Sequence, residues 1–543
     1  MNHSLPITRY SLLATCLVVL CLPTYIHSQS YIEQTYNNGV NQFQDGNYKS
    51  AIETFDEVLS TATKKDKDFT SKAQLYKANS LSELLLLDDA MSVYMKITEK
   101  FPNTNESLRA RLGIGLIHYK KNNYESAREY FLGFMKRFPN TKITDDAQYW
   151  LGMLHFKNKN FKKAVISFTA LVQNYPNSDY TAEGWLRLGD TYFNLKKYTQ
   201  ARNSYRKVLS KCPSSVQAEF ALYGVGRTYN SQGETFDEIM VYTQFVEKYP
   251  TSQLSPEIIY QVAVYFYKKK NYDNATKYFE QLSSSFPDHN LSEESNFMRS
   301  KIYYKTDDKV KSIDSFRMFV EKYPSSKNRA EALLYIGDCY FDFADYKNAV
   351  ENYEKGMKLE LSDTEIFAMA KYNCGLSHEK VGNSTEAGKC FNEILYRYPK
   401  SVAAAKMYLK RGIDLEVRGD YFAAVENYEL AANISKNKSI QKTESLSNSM
   451  KEDIGATAQK KAADCYFVQK KYKEASREYL KVVYLFNSSE YVPEAQYMAA
   501  CASEETGYLK EAKQNYEAVA KKYSNTEWAN KAKERLAVLR SGK

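Results

Sequence analysis

Beyond residue 30 the chain carries four histidines and six cysteines, the side chains best suited to hold a metal or act as nucleophiles. His118 and His155 stand 37 residues apart. At that spacing two equivalent positions of a repeating structure could share one ion. No third ligand accompanies them, and protein zinc sites take three or four. His289 lies beside Pro287 and Asp288 with no partner in view. Cys212, Cys339, Cys374, Cys390, Cys465 and Cys501 are scattered, with no Cys-x-x-Cys pair, which fits neither a disulfide scaffold nor a zinc site. Cys374 and Cys390 fall in the two helices of one unit, so they read as two buried thiols, with a bridge between them as the alternative. Gly113-x-Gly115 and Gly224-x-Gly226 lack the preceding strand and third glycine of a phosphate-cradling loop. The carboxylates are spread without an isolated pair of the kind a glycosidase needs. The sequence therefore reads as having no catalytic residues, no cofactor-binding residues and no metal ligands.

The elements that position these residues follow one rule. Pro102, Pro139, Pro176, Pro213, Pro250, Pro287 and Pro324 are each preceded by Phe, Tyr or Cys, and every interval between neighbours is 37 residues. A fixed period of this length marks a solenoid, in which each unit buries its apolar face only against adjacent units. At 543 residues one core could not serve the whole chain, but a stack grows its core along one axis. Such an array leaves no non-repetitive stretch of about 100 residues for a catalytic domain.

The unit ending at Pro213 shows the pattern within a period. Trp185, Leu188, Gly189 and Tyr192 recur at three and four residues and share one face of a first helix. Lys196-Lys197-Tyr198 turns the chain, Ala201, Tyr205 and Val208 line a second helix, and Pro213 ends it. Gly189 and Ala201 are small where two antiparallel helices must approach. The position of Tyr198 recurs at Tyr48, Leu87, Tyr124, Phe161, Phe236, Tyr272, Val310, Tyr346, Ser384, Tyr421, Tyr472 and Leu509. Three residues on stands Ala, except for Ile239 and Ile313.

Trp, Leu-Gly and Tyr followed by Ala, an aromatic and Pro at these offsets resembles the tetratricopeptide repeat, across nearly all of the chain after residue 30. The resemblance implies an all-α fold: a right-handed superhelical solenoid of antiparallel helix pairs, about thirteen units and a C-terminal capping helix. The period exceeds the family's ~34 residues. The excess sits in the loop between units, as in bacterial envelope members of the family. Those include the lipoprotein that helps assemble outer-membrane β-barrels and the periplasmic coordinator associated with the Tol–Pal system. The family's first helices line a concave groove. Its groove-facing positions map to Tyr119, Tyr149, Phe156, Phe193, Tyr260, Tyr267, Phe341 and Tyr372, with Asp190 and Asp338 as polar neighbours that would set the register of a bound segment. These rings either grip a partner or pack one helix on the next.

Around the array, residues 1–30 read as a signal peptide, with Arg9 before an apolar run from Tyr10 to Leu22 and small residues toward Ser28. Cleavage near residue 28 is expected. A retained anchor, or a lipid on Cys16 or Cys21, is the alternative, although Thr15 and Leu20 are not the small residues that precede a lipidated cysteine. Residues 31–435 form the long array, 436–455 a polar insert rich in Ser, Lys, Asn and Glu, and 456–543 the C-terminal units and cap. Lysines at the turns (Lys120-Lys121, Lys162-Lys163, Lys196-Lys197, Lys268-Lys270, Lys470-Lys471) would line one edge. That edge is either simply solvated or attracts anionic lipid or wall polymer. The net charge of +10 is too small over this length to indicate nucleic acid. The expected function is that of a non-enzymatic scaffold, exported to the periplasm or outer membrane, which binds a protein or peptide of the envelope. A scaffold for polysaccharide export or peptidoglycan binding is the alternative.

Overall fold

In a computed structural model, the described residues are 31–541 apart from 64–65, 140, 142, 360–363 and 437–452. The expected signal peptide and most of the expected polar insert lie outside them. All regular structure in the described residues is α-helical, and the chain divides into two compact units at Ser255/Pro256.

The first unit contains α1 (31–44), α2 (Tyr48–Thr61), α3 (Lys67–Glu83), α4 (Leu87–Lys100), α5 (Asn105–Lys120), α6 (Tyr124–Arg137), α7 (Thr144–Lys157), α8 (Phe161–Asn174), α9 (Thr181–Asn194), α10 (Tyr198–Lys211), α11 (Gln217–Gln232) and α12 (Thr235–Lys248). The second contains α13 (Ser255–Lys268), α14 (Tyr272–Ser285), α15 (Asn290–Lys305), α16 (Lys309–Lys322), α17 (Arg329–Asp342), α18 (Tyr346–Met357), α19 (Thr364–Lys380), α20 (Ser384–Arg397), α21 (Val402–Val417), α22 (Tyr421–Ser435), α23 (Ile454–Val468), α24 (Tyr472–Leu485), α25 (Val492–Glu505), α26 (Leu509–Lys522) and α27 (Glu527–Ser541). Odd and even helices pair into hairpins, and α27 covers the last hairpin through Ala532 and Leu536, as the expected cap requires. Within each unit helices touch those before and after them, and neighbouring first helices touch each other.

The thirteen second helices begin at, or one residue before, the positions read from the sequence. The turn before each has one solution. Two residues ahead of every second helix the backbone is left-handed: Gly46, Gly233, Gly382, Gly419 and Gly507, but also Leu85, Asn122, Lys159, Lys196, Lys270, Asp307, Ala344 and Lys470. Around Ala344 (φ 58°), its N–H reaches the Phe341 carbonyl and the Asp345 N–H the Tyr340 carbonyl, each at 2.9 Å. This closes α17 as a Schellman motif. A Cβ in this conformation costs ~1–2 kcal/mol, part of which glycine's larger chain entropy would give back. Ala344→Gly is therefore expected to stabilise the second unit by about 0.5–1 kcal/mol. Its urea midpoint should rise; a midpoint at or below the parent's would refute the strain.

Seven residues into each second helix stands a ring: Phe55, Tyr94, Phe131, Phe168, Tyr205, Tyr242, Phe279, Phe316, Tyr353, Phe391, Tyr428, Tyr479 and Tyr516, all buried. Eight of them face a glycine of their own first helix. A Cβ on Gly226 would stand 2.2 Å from Tyr242 Cε1, which shows how closely the two backbones approach there. Beneath each ring lies the small residue that marked the pattern, fully or almost fully buried at eleven alanines from Ala51 to Ala512.

The helices on either side of residues 437–452 pack directly. Ala424, Val425, Tyr428 and Ala431 of α22 share one cluster with Ala458, Ala462 and Cys465 of α23.

Candidate binding face and a buried ligand cluster

The ten residues expected along the groove fall into three structural roles. Tyr119, Phe156, Phe193, Tyr267 and Phe341 stand at the ends of first helices and meet the first residue of the following helix. Their rings lie 5.5–6.2 Å from those of Tyr124, Phe161, Tyr198, Tyr272 and Tyr346. Each pair clasps its turn. Tyr149, Tyr260 and Tyr372 lean on the second-helix ring of their own hairpin, at 6.3 Å (Phe168), 5.9 Å (Phe279) and 6.2 Å (Phe391). Asp190 and Asp338 accept the hydroxyl protons of Tyr205 and Tyr353, fifteen residues later.

Two of the ten are corrected by their burial. Tyr149 is 7% exposed and stacks on Tyr180 at 4.4 Å, with burial first among the causes that raise its pKa to about 12. Asp338 is 2% exposed. Three donors converge on it: Tyr304 Oη at 3.2 Å, Asn373 Nδ2 at 2.9 Å, and Tyr353 Oη. Burial pushes its pKa up to about 7, against the pull of these hydrogen bonds. Tyr149 is covered by its stack on Tyr180, and Asp338 is held inside because the buried Tyr353 hydroxyl must find an acceptor within the hairpin.

The face of α9 and α11 in the first unit keeps an open cleft of about 370 Å³. It is lined by Glu183, Leu186, Arg187 and Asp190 of α9, by Gln217, Phe220, Tyr223, Gly224 and Arg227 of α11, and by Val216 and Leu254. Arg187 bridges Glu183 at 2.7 Å and Asp190 at 3.0 Å. Burial works against its charge, but the two carboxylates outweigh it and raise its pKa. Asp190 is shifted upward by burial, with Tyr205 and Arg187 opposing. Arg227 is exposed and lies over the Phe193 ring, 4.5 Å from its centre, a cation–π contact. Among the described residues it has no ion-pair partner. Beside it Phe220 is 52% and Val216 78% exposed. The cleft thus joins one uncommitted cation to apolar surface.

Of the expected groove residues, Asp190 lines this cleft, Phe193 adjoins it only through Arg227, and the others lie elsewhere in the two units. Sequence reasoning missed Arg187, Phe220, Tyr223 and Arg227. Superposing the periods would have exposed them, since Arg227 takes the slot of Asp190 and Phe220 that of Glu183, one period on.

The turn lysines are partly neutralised. Lys120 bonds the Ser82 carbonyl and Glu83 of the preceding hairpin at 3.1 and 3.0 Å, and Lys121 pairs with Asp88. His118 and His155 do not share a ligand group. His118 packs on Tyr130 at 5.2 Å, and burial lowers the pKa of both imidazoles. Among the described residues, the ligating side chains that do converge are Cys374, His378 and Cys390, with their ligand atoms within 4.8 Å of one another.

A family model described as an outer membrane lipoprotein, YfiO, matches residues 67–190 and 252–411, just over half of the chain. Two tetratricopeptide-repeat models match residues 182–215 and 220–252. No curated protein sequence matches. Among solved structures, the C-terminal part of a tetratricopeptide-repeat protein from Cytophaga hutchinsonii is similar at 17% identity and a TM-score of 0.36, over 48% of this chain and 98% of that one. Yeast Tom70 is similar at 13% identity and a TM-score of 0.34, over 88% of this chain and 97% of that one.

Proposed function

We propose, from the premise that the chain belongs to the YfiO family of outer membrane lipoproteins and is built of tetratricopeptide repeats, that it is a non-catalytic scaffold of the cell envelope. It would take a segment of a partner protein against its first helices. The observation that carries this reading is the cleft between α9 and α11. Arg227 there makes no ion-pair contact, although Asp190 of the same cleft feels its charge, and it stands next to the exposed Phe220 and Val216. A segment carrying a carboxylate beside a large apolar side chain satisfies both features. The cation pairs with the carboxylate while the apolar contact excludes water around it. The family's description supports an envelope location. The polar stretch 436–455 is taken as an insertion that interrupts the period without interrupting the stack.

The alternative of a scaffold for polysaccharide export or peptidoglycan binding draws its support from a basic edge. Pairing of Lys120 and Lys121 with acids of the neighbouring hairpin weakens that support.

A photo-crosslinking residue at Phe220, used in cells, tests the proposal. It should capture a defined envelope protein, and the same residue at Met240 of α12 should not. Arg227→Glu should weaken binding of that partner by about 2 kcal/mol or more while helicity stays unchanged. Equal capture from both positions, or binding indifferent to Arg227→Glu, would reject the cleft as the binding site.

A further inference from the structure

The approach of α19 and α20 is set at Gly375, whose missing side chain admits the Phe391 ring; a Cβ there would lie 2.4 Å from Phe391 Cε1. Cys374 and Cys390 adjoin these two residues, so the same close approach brings their sulfurs face to face across the hairpin. His378 is four residues beyond Cys374 on α19 and presents its ring from the next turn of the same face. Cys374 is 1% and His378 5% exposed, and Cys390 is partly buried. The imidazole is poorly satisfied for a buried group. Nε2 lies 3.6 Å from Glu354 Oε1, and Nδ1 is buried with no hydrogen-bond partner. His118, in the same slot of another hairpin, also has a buried Nδ1 without a partner; what sets His378 apart is the pair of cysteine sulfurs within 4.8 Å of its ring nitrogen.

We propose that Cys374, His378 and Cys390 form a binding site for one thiophilic divalent cation of the Zn(II) class. Two sulfurs and an imidazole nitrogen are the soft and borderline donors that such an ion selects, and three protein ligands leave its fourth position for water or a carboxylate oxygen. The unpartnered Nδ1 is the ligand nitrogen. Nε2–H then turns to Glu354, the carboxylate–histidine arrangement that fixes the tautomer of metal-bound imidazoles. On binding, each thiol gives its proton to solvent, so the dication is matched by two thiolates and two protons are released. Held in this way, the ion ties α19 to α20 inside one hairpin.

The test uses the full chain, reduced and freed of metal. Co(II) titration should produce a thiolate-to-cobalt charge-transfer band that saturates at one equivalent and disappears when Zn(II) is added. Cys374→Ser and Cys390→Ser should each abolish the band, Cys465→Ser should leave it intact, and Glu354→Gln should weaken the affinity about 10- to 100-fold. Zinc-edge X-ray absorption of the unsubstituted chain guards against variants that fail to fold. It should report two sulfurs at about 2.3 Å and a nitrogen at about 2.0–2.1 Å. Absence of the band in the reduced chain, a band that survives both serine substitutions, or isolation of the native chain with Cys374 and Cys390 joined as a disulfide would overturn the proposal.

Discussion

Asp338→Leu at pH 5 is expected to lower the stability of the second unit by about 3–5 kcal/mol, because it leaves three buried polar side chains without their shared partner. Tyr304, Tyr353 and Asn373 all converge on the carboxylate, and none of the three side chains is exposed enough to turn to water instead. The same residue makes stability depend on pH. Its pKa is raised in the folded state, from 3.8 to about 7. The folded chain therefore binds the proton more tightly than the unfolded chain. The stabilisation is complete below about pH 4 and is lost as pH rises through about 7, a change of up to about 4 kcal/mol. Asp338→Asn keeps the shape without the charge, and Asn373 can turn its amide oxygen toward the new amide. Urea midpoints measured from pH 4 to 8 should fall for the parent and stay nearly level for Asp338→Asn. Equal slopes for the two proteins would show that Asp338 is not the group responsible.

Gly226→Ala should be nearly as damaging, though it adds a single methyl. Its Cβ would meet the Tyr242 ring at 2.2 Å, and that ring is 2% exposed and enclosed on all sides. Either the ring leaves its rotamer or α11 shifts from α12, and overpacking of this kind costs about 1–3 kcal/mol. Gly133→Ala in α6 is the control. No atom lies within 4 Å of the added Cβ, so only helix propensity acts, in favour of alanine by up to about 1 kcal/mol. Thermal unfolding of the two variants should move in opposite directions. A Gly226→Ala protein as stable as the parent would mean that the contact is looser than its geometry states.

The stack was legible because a repeat states its rule many times. Starts of second helices and the alanines beneath the rings followed from the offsets around Tyr198 and Ala201, and the capping helix from the need of a solenoid to end its core. The use of the rings was less legible. Phe193 and Phe341 have the spacing of groove residues, yet each also stands five residues before an aromatic that opens the next helix, and the turn folds the two together. Asp190 and Asp338 read from the sequence as polar groove residues that set the register of a bound segment. The acceptor each provides is demanded by a tyrosine fifteen residues away, and such a pairing is visible only once the hairpin is closed. That Cys374 and Cys390 share one hairpin was legible, but that their sulfurs meet a histidine was not, for a related reason. Their distance depends on the rotation of α19 against α20, which Gly375 and Phe391 decide. His378 occupies the slot that holds Tyr192 in another hairpin, where a packing ring is the ordinary occupant.

The contacts between helices also bear on how the chain is made. They join elements that are first or second neighbours along the sequence. The early hairpins therefore have every surface they need while later ones are still being synthesised. Apart from the insertion between α22 and α23, loop closures are short, which favours rapid and progressive folding over a late global collapse. A polypeptide of this length could acquire its structure piece by piece from the ribosome onward, with only its newest edge left uncovered at any moment.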